Sequence, residues 1–126
     1  MGDRANVAVV QHDGKSLVYL YTHWAGTELP ETVRQSLMRA TGGPMDGNRW
    51  GDEQYLARII FCEMVKGQEL ATSGYGISSL IGDGDYRIVE VNPKKQTVRL
   101  IVDGKELKAV PMAEFVMSEQ SWPEDT

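Results

Sequence analysis

Two Asp-Gly pairs, each flanked by runs rich in β-branched and aromatic residues, constrain the fold of this chain more than any other feature. The pairs are Asp13-Gly14 and Asp103-Gly104. Because Asp-Gly tolerates the positive φ angles of tight turns, each pair predicts a β-hairpin. The chain is therefore expected to form sheet near both of its ends. The strands predicted around the two pairs are residues 6–11, 16–22, 96–102 and 105–110.

Two segments between these hairpins have the apolar spacing of helices. In the first, Thr27 is the expected N-cap and Pro30 falls in the first turn. The second, residues 53–66, follows Asp52, another good N-cap, and is apolar over more than one face. We therefore expect the second helix to be buried on two sides, with Cys62 among its buried residues. The apolar stripe of the first helix consists of Leu29, Val33, Leu37 and Ala40.

The C-terminal half is predicted to form a meander of four strands and then a short helix at residues 112–117. The element order ββααββββα indicates the α+β class. We expect an antiparallel sheet, built from the N-terminal hairpin and the C-terminal meander, with two helices packed on one face. Residues 1–118 should form a single domain and residues 119–126 an acidic mobile tail. The four strands of the meander are residues 75–81, 86–91, 96–102 and 105–110.

Length and composition exclude several classes of function. The chain has 126 residues, one cysteine and a net charge of −5 at pH 7, so it should hold one core without disulfides. Its lysines and arginines form no basic stripe, which argues against binding to duplex nucleic acid. Two histidines are too few for a three-histidine metal site, and we predict neither a metal site nor a cofactor. Without a long apolar run or a recognisable targeting segment, we expect a cytoplasmic protein that does not contact membranes.

Residues 42–52, between the two predicted helices, are the first candidate for a binding site. This loop is rich in glycine and then presents Arg49 and Trp50 side by side, just before the second helix. A planar cation and a large aromatic ring at a helix N-terminus suit a flat or anionic ligand. Arg58 interrupts the apolar surface of the second helix and is a further candidate to pair with a phosphate.

Two other segments add candidate residues. His23 and Trp24 follow the second predicted strand, at a position where loops often carry function. Tyr75 lies between two glycines, which would let a ligand approach the backbone closely, and Ser78 follows it. Structural interpretations stay open for both segments: a histidine bonded to the turn, and a bulged edge strand. We expect the candidates to converge on one hollow. The predicted ligand-binding residues are His23, Trp24, Arg49, Trp50, Arg58, Tyr75 and Ser78.

Three segments together resemble a family of small, uncharacterised proteins of bacteria and their phages. They are Tyr-Leu-Tyr-Thr-His-Trp at residues 19–24, Tyr-Leu-Ala-Arg-Ile-Ile-Phe at residues 55–61 and Gly-Tyr-Gly-Ile-Ser at residues 74–78. The similarity covers residues 16–103. It implies a cytoplasmic setting, which is the host cytoplasm if the origin is a phage. It transfers no activity and no site residues.

Three functional hypotheses follow from these observations. The first is a homo-oligomeric binding module for a small nucleotide-like anion, which in a phage could sequester a host immune second messenger as an anti-defence sponge. The second is a protein–protein inhibitor or adaptor that contacts a host protein through Trp24, Trp50 and the sheet edge. The third is a small phosphodiesterase-like enzyme with His23 as general acid or base. We assign no catalytic residues, because neither a P-loop nor a G-x-S-x-G motif is present.

Overall fold

The computed structural model describes residues 2–42 and 48–123 and confirms the predicted α+β class. Two strands are followed by two helices, then by five more strands and a short third helix. All of these strands belong to one sheet. The elements are β1 (Ala5–Val10), β2 (Leu17–Thr22), α1 (Leu29–Arg39), α2 (Glu53–Val65), β3 (Tyr75–Ser78), β4 (Arg87–Asn92), β5 (Thr97–Val102), β6 (Lys105–Glu106), β7 (Val110–Pro111) and α3 (Met112–Phe115).

The sheet is mixed rather than antiparallel, which corrects the prediction. Its strands lie in the order β3-β2-β1-β4-β5-β6, and β7 pairs with β5. β1 pairs antiparallel with β2, as the first Asp-Gly pair predicts, but it pairs parallel with β4, where Val7 lies opposite Val89. Both helices and β3 intervene between β2 and β4, and a connection of that length can return the chain in the parallel direction. Local patterns therefore predict the hairpins but not this long-range pairing.

The second hairpin is present but more irregular than expected. Its turn residues Asp103 and Gly104 have φ angles of 52° and 79°. Glu106 pairs with Ile101, and the next pairing on this side joins Val110 to Val98. Between these two pairings, the segment that follows the turn has one residue more than the facing segment of β5. Such an extra residue is the signature of a β-bulge. The bulge splits the predicted strand 105–110 into β6 and β7, so the element order is ββααβββββα.

Helix α1 presents its predicted apolar stripe to the sheet. Leu29, Val33 and Leu37 are buried in the core, together with apolar residues of β1, β2, β4 and β5. The helix begins one residue later than predicted, with Glu28 rather than Thr27 as its N-cap. The Thr27 N–H instead donates to the carboxylate of Asp3 at 2.9 Å.

Helix α2 packs against α1 and the sheet on one side only. Asp52 caps it as predicted, because its carboxylate accepts the backbone N–H of Tyr55 at 3.1 Å. The expected burial on two sides is wrong: the buried residues of α2 are a single stripe, and Cys62 is exposed. No other described element covers the outer side of this helix, so its apolar residues there remain partly open to solvent. The buried stripe consists of Leu56, Ile60 and Met64.

Residues 120 and 122 of the predicted tail make hydrogen bonds to the body of the domain. The backbone N–H of Gln120 donates to the Glu31 carboxylate at 2.9 Å. The indole N–H of Trp122 donates to the Gly26 carbonyl at 2.7 Å, and its ring lies 5.6 Å from the Arg87 guanidinium. The segment is thus packed on the domain as far as residue 123. The last three acidic-tail residues, 124–126, lie outside the described part of the chain.

We predict that Trp122→Phe lowers the free energy of unfolding by about 1–2 kcal/mol. Phenylalanine keeps an aromatic ring beside Arg87 but leaves the Gly26 carbonyl without its donor. The measurement is urea denaturation at neutral pH. Trp24→Phe is the matched control, because Trp24 is 56% exposed and its indole N–H makes no hydrogen bond to a described residue. Equal stability of the two variants would contradict a role for the Trp122 contact.

We also predict that the ionisation of Glu31 makes the stability of the folded state depend on pH. The Arg34 guanidinium, 2.8 Å from the carboxylate, together with the Gln120 N–H, lowers the pKa of Glu31 to about 2. A lowered pKa stabilises the folded state above the unfolded value of 4.5 and loses that contribution as the pH falls towards 2. Glu31→Gln should therefore lose more stability at pH 7 than at pH 2.5, as measured by denaturation at both values. The same loss at both values would contradict the contribution of the ionised carboxylate.

Candidate functional site

A basic groove runs along the outer surface where α1 and α2 meet. Its first part is a hollow of about 310 Å³ near the start of α2, lined by Arg39, Ala40, Gly42, Arg49, Tyr55, Arg58 and Ile59. A second hollow of about 370 Å³ adjoins it and is lined by Arg39, Arg58, Ile59, Cys62, Glu63 and Lys66. Because the two hollows share Arg39, Arg58 and Ile59, we treat them as one site and call it the arginine groove.

The ends of α1 and α2 position the cations of the arginine groove. Arg39 is the last residue of α1. The backbone N–H of Arg49 donates to the Ala40 carbonyl at 2.8 Å, which holds the end of the loop against α1. The Arg49 carbonyl in turn accepts the N–H of Asp52 at 3.1 Å, directly before α2 begins. The loop therefore returns Arg49 to the mouth of the groove, although residues 43–47 lie outside the described part of the chain.

Positive charge dominates the groove. Arg39 pairs with Glu63 at 2.9 Å, but its side chain remains 60% exposed. The Arg49 guanidinium lies 4.8 Å from the centre of the Tyr55 ring, a cation–π contact. Nη1 of Arg58 lies 3.9 Å from the sulfur of Cys62. Within residues 2–42 and 48–123, no carboxylate forms an ion pair with Arg49 or Arg58. Four other arginines each have at least one such pair: Arg34, Arg39, Arg87 and Arg99.

Trp50 does not line the arginine groove. Its indole N–H donates to the Leu37 carbonyl at 2.8 Å, and its ring packs partly buried against the core. The aromatic ring of the groove is instead Tyr55, which sequence reasoning missed. Tyr55 lies three residues before Arg58 on a helix, so the two share a face. That three-residue spacing was the signal available in the sequence.

His23 and Trp24 come together at the opposite end of β2, beside the backbone of Gly74. The His23 N–H donates to the Gly74 carbonyl at 2.9 Å, and the His23 and Trp24 rings meet edge to face at 4.9 Å. Gly74 has a φ of 97°, and a Cβ there would lie 2.4 Å from the Trp24 ring. Glycine is therefore required at this position, both for the backbone conformation and for the close approach of the indole. Tyr75 is partly buried against the core.

The imidazole of His23 is held by two donors. The Arg4 side chain donates from Nε to His23 Nδ1 at 3.3 Å, and the Tyr21 hydroxyl lies 2.9 Å from the same nitrogen. Since arginine can only donate, Nδ1 is the accepting nitrogen and the tyrosine hydroxyl donates to it. The single lone pair of Nδ1 is therefore shared by these two donors.

The seven predicted residues do not share one pocket within the chain. Arg49 and Arg58 line the arginine groove, and Trp50 packs on the core. The loop before α2 lies beside the first hairpin turn, where a His12 ring nitrogen is 3.0 Å from the Gly51 carbonyl. His23 lies at the far end of β2 from that turn, and Ser78 lines a separate hollow on the other face of the sheet.

We predict that Trp50→Phe lowers the free energy of unfolding by about 1–2 kcal/mol, because the partly buried Leu37 carbonyl loses its donor. Denaturation in urea measures this change. The guanidinium groups of the groove should remain in place, so any anion that binds there should keep its affinity in the variant. Loss of anion binding without loss of stability would assign Trp50 to the site after all.

No protein-family model, curated protein or solved structure matches this chain. Over the described residues, none of the helices combines the length and the apolar character that crossing a bilayer requires. The same residues contain no group of three or more His, Cys, Asp or Glu side chains arranged to hold a metal ion.

Proposed function

We propose that this chain binds a small nucleotide-like anion in the arginine groove. The observation that carries the proposal is the convergence of Arg39, Arg49 and Arg58 with the ring of Tyr55 on one hollow. Guanidinium groups match phosphate oxygens in geometry and can donate two parallel hydrogen bonds. A tyrosine ring adds a surface on which a base can stack.

The dimensions and charge of the groove support a nucleotide-sized ligand. A volume of about 310 Å³ falls at the lower end of the range typical of small-molecule sites, and the adjoining hollow of about 370 Å³ extends it. Lys66 adds a cation at the far end of the second hollow. The ligand would thus contact cations along the length of the groove, while Ile59 supplies apolar contact between them.

We further propose a biological setting for this binding. The resemblance of residues 19–24, 55–61 and 74–78 to small proteins of bacteria and phages favours a phage protein that acts in the host cytoplasm. There it would sequester a nucleotide second messenger of host immunity rather than convert it. Because the groove is open on one side, a second copy of the chain would complete its walls, so we include a homo-oligomer in the proposal.

A protein–protein adaptor is the second candidate, and the exposed side chains around β3 favour it. β3 is an edge strand, and Ile77 and Leu80 beside it are 61% and 78% exposed. Trp24 lies next to the same edge and is largely exposed. An adaptor that used this surface would leave the arginine groove without a ligand, so measurements of ligand binding separate the two functions.

The test begins with a thermal-shift panel of inorganic phosphate, nucleoside mono- and diphosphates and cyclic nucleotides. A ligand that binds only the folded state raises Tm, so the binding function predicts a clear rise with at least one nucleotide. Recovery of that nucleotide unchanged from the heat-denatured complex would separate sequestration from a phosphodiesterase. No shift with any member of the panel would favour the adaptor.

We predict that Arg58→Gln weakens binding of the best nucleotide by at least about tenfold, since a charge-assisted hydrogen bond is lost. The free energy of unfolding of this variant should change by no more than about 0.5 kcal/mol. Among the described residues, the polar partner of the Arg58 side chain is only the Cys62 sulfur. Isothermal titration calorimetry gives the affinity. Lys108→Gln, which removes the same charge outside the groove, is the matched control and should bind normally. Equal affinities for the two variants would show that the groove is not the site.

A further inference from the structure

A second hollow lies on the face of the sheet that α1 and α2 leave uncovered. It has a volume of about 270 Å³. Its floor is the outer face of β2 and β3, where Tyr21 pairs with Gly76 and Tyr19 pairs with Ser78. Its wall is the chain between β3 and β4, which includes Leu80 and Asp83. We call this site the tyrosine hollow.

The wall of the tyrosine hollow is held in place by a buried asparagine. Asn6 is 2% exposed, and its side-chain amide donates to the carbonyls of Asp83 at 2.8 Å and Gly84 at 3.2 Å. Asn6 belongs to the central strand β1, so the loop is tied directly to the most buried part of the sheet. The backbone at Asp83 is therefore fixed before any ligand arrives, which lowers the entropic cost of binding.

The floor of the hollow is open because β3 has glycine at position 76. A Cβ built on Gly76 would meet no atom within 4 Å. The backbone here does not require glycine, since Gly76 is absent from the glycines with positive φ. A side chain at this position would therefore fit the unliganded protein, but it would point into the hollow beside Tyr21. Glycine at this position therefore leaves space in the hollow, although the backbone conformation does not require it.

The charge of the tyrosine hollow is opposite to that of the arginine groove. Its lining contains no lysine, arginine or histidine, and Asp83 is its one charged residue: the lining is Asn6, Tyr19, Tyr21, Gly76, Ile77, Ser78, Leu80, Gly82 and Asp83. Burial raises the pKa of Tyr21, and the Asp83 carboxylate raises it further, while Arg4 opposes this effect. The Arg4 guanidinium and the Asp83 carboxylate thus both act on the phenol, and Nε of Arg4 donates to His23 Nδ1 at 3.3 Å.

We propose that the tyrosine hollow is a binding site for a planar organic cation of the guanidinium or amidinium class. Two tyrosine rings attract a cation through their π systems, and the Asp83 carboxylate pairs with its charge. A flat group fits over the strand where Gly76 leaves the floor open. The site is distinct from the arginine groove, which lies on the helical side of the domain and selects the opposite charge.

Three ligands of one shape and different charge test the proposal: benzamidine, benzamide and benzoate. Titration of the whole chain, followed by amide chemical shifts, should show benzamidine binding with shifts centred on Gly76, Gly82 and Gly84. Benzamide should bind at least about tenfold more weakly and benzoate not measurably. Binding of benzoate as strong as that of benzamidine, or shifts elsewhere in the chain, would overturn the proposal.

Two variants separate the charge of the site from its shape. Asp83→Asn should abolish the preference for benzamidine over benzamide, whereas Asp85→Asn, outside the lining, should retain it. Gly76→Val fills the floor, so it should abolish benzamidine binding without loss of stability, because valine is favoured in strands. Nucleotide binding should be unchanged in both Asp83→Asn and Gly76→Val. Unaltered benzamidine binding in Gly76→Val would overturn the proposal. A changed oligomeric mass of the same variant in analytical ultracentrifugation would assign the hollow to a contact between subunits and would also overturn the proposal.

Discussion

Burial of β1 on both of its faces is the constraint on which the rest of the structure depends. Every residue of Ala5–Val10 is buried, with β2 on one side and β4 on the other. Val7 and Val9 meet the helices, while Asn6 and Ala8 face the opposite side of the sheet. A strand of short, mostly apolar side chains can be enclosed in this way, by the helices on one face and, at Asn6, by the chain at Asp83 and Gly84 on the other. The arginine groove and the tyrosine hollow consequently lie on opposite sides of this strand.

This arrangement separates surfaces of opposite charge. The arginine groove lies on the outer side of the helical layer, and the tyrosine hollow lies on the uncovered face of the sheet. Charges on opposite sides of a small domain are screened from each other by solvent and salt. Each surface therefore presents a charge of its own, even though the whole chain carries a modest net charge of −5. The net charge alone reveals neither of these two surfaces.

Local patterns in the sequence predicted the elements better than their assembly. The stripe of Leu29, Val33 and Leu37 and the Asp52 cap depend on residues a few positions apart, and the structure confirms them. The parallel pairing of β1 with β4 joins segments about 80 residues apart, and no local signal encodes it. The bulge between β6 and β7 likewise depends on how Val110 meets β5.

The candidate site shows the same division between local and long-range information. Arg49 was predicted because it is a cation just before a helix N-terminus, and Arg58 because it interrupts the apolar surface of that helix; both line the groove. The sequence could not show that Trp50 turns towards the Leu37 carbonyl, because that choice depends on how α1 packs. Once the indole lies there, Tyr55 is the aromatic ring left at the groove. Side-chain direction at the start of α2 was thus the missing information.

Gly26 makes hydrogen bonds to both ends of the described chain. Its N–H donates to the Asp3 carbonyl at 2.8 Å, and its carbonyl accepts the Trp122 indole at 2.7 Å. Arg87 contacts the Asp3 carboxylate and lies beside Trp122, and a side chain on Gly26 would collide with it. The two ends of the domain therefore meet at one corner. A circular permutant would have these ends joined by a short linker and new termini opened in the exposed turn at Asp13. It would preserve every strand pairing, the arginine groove and the tyrosine hollow.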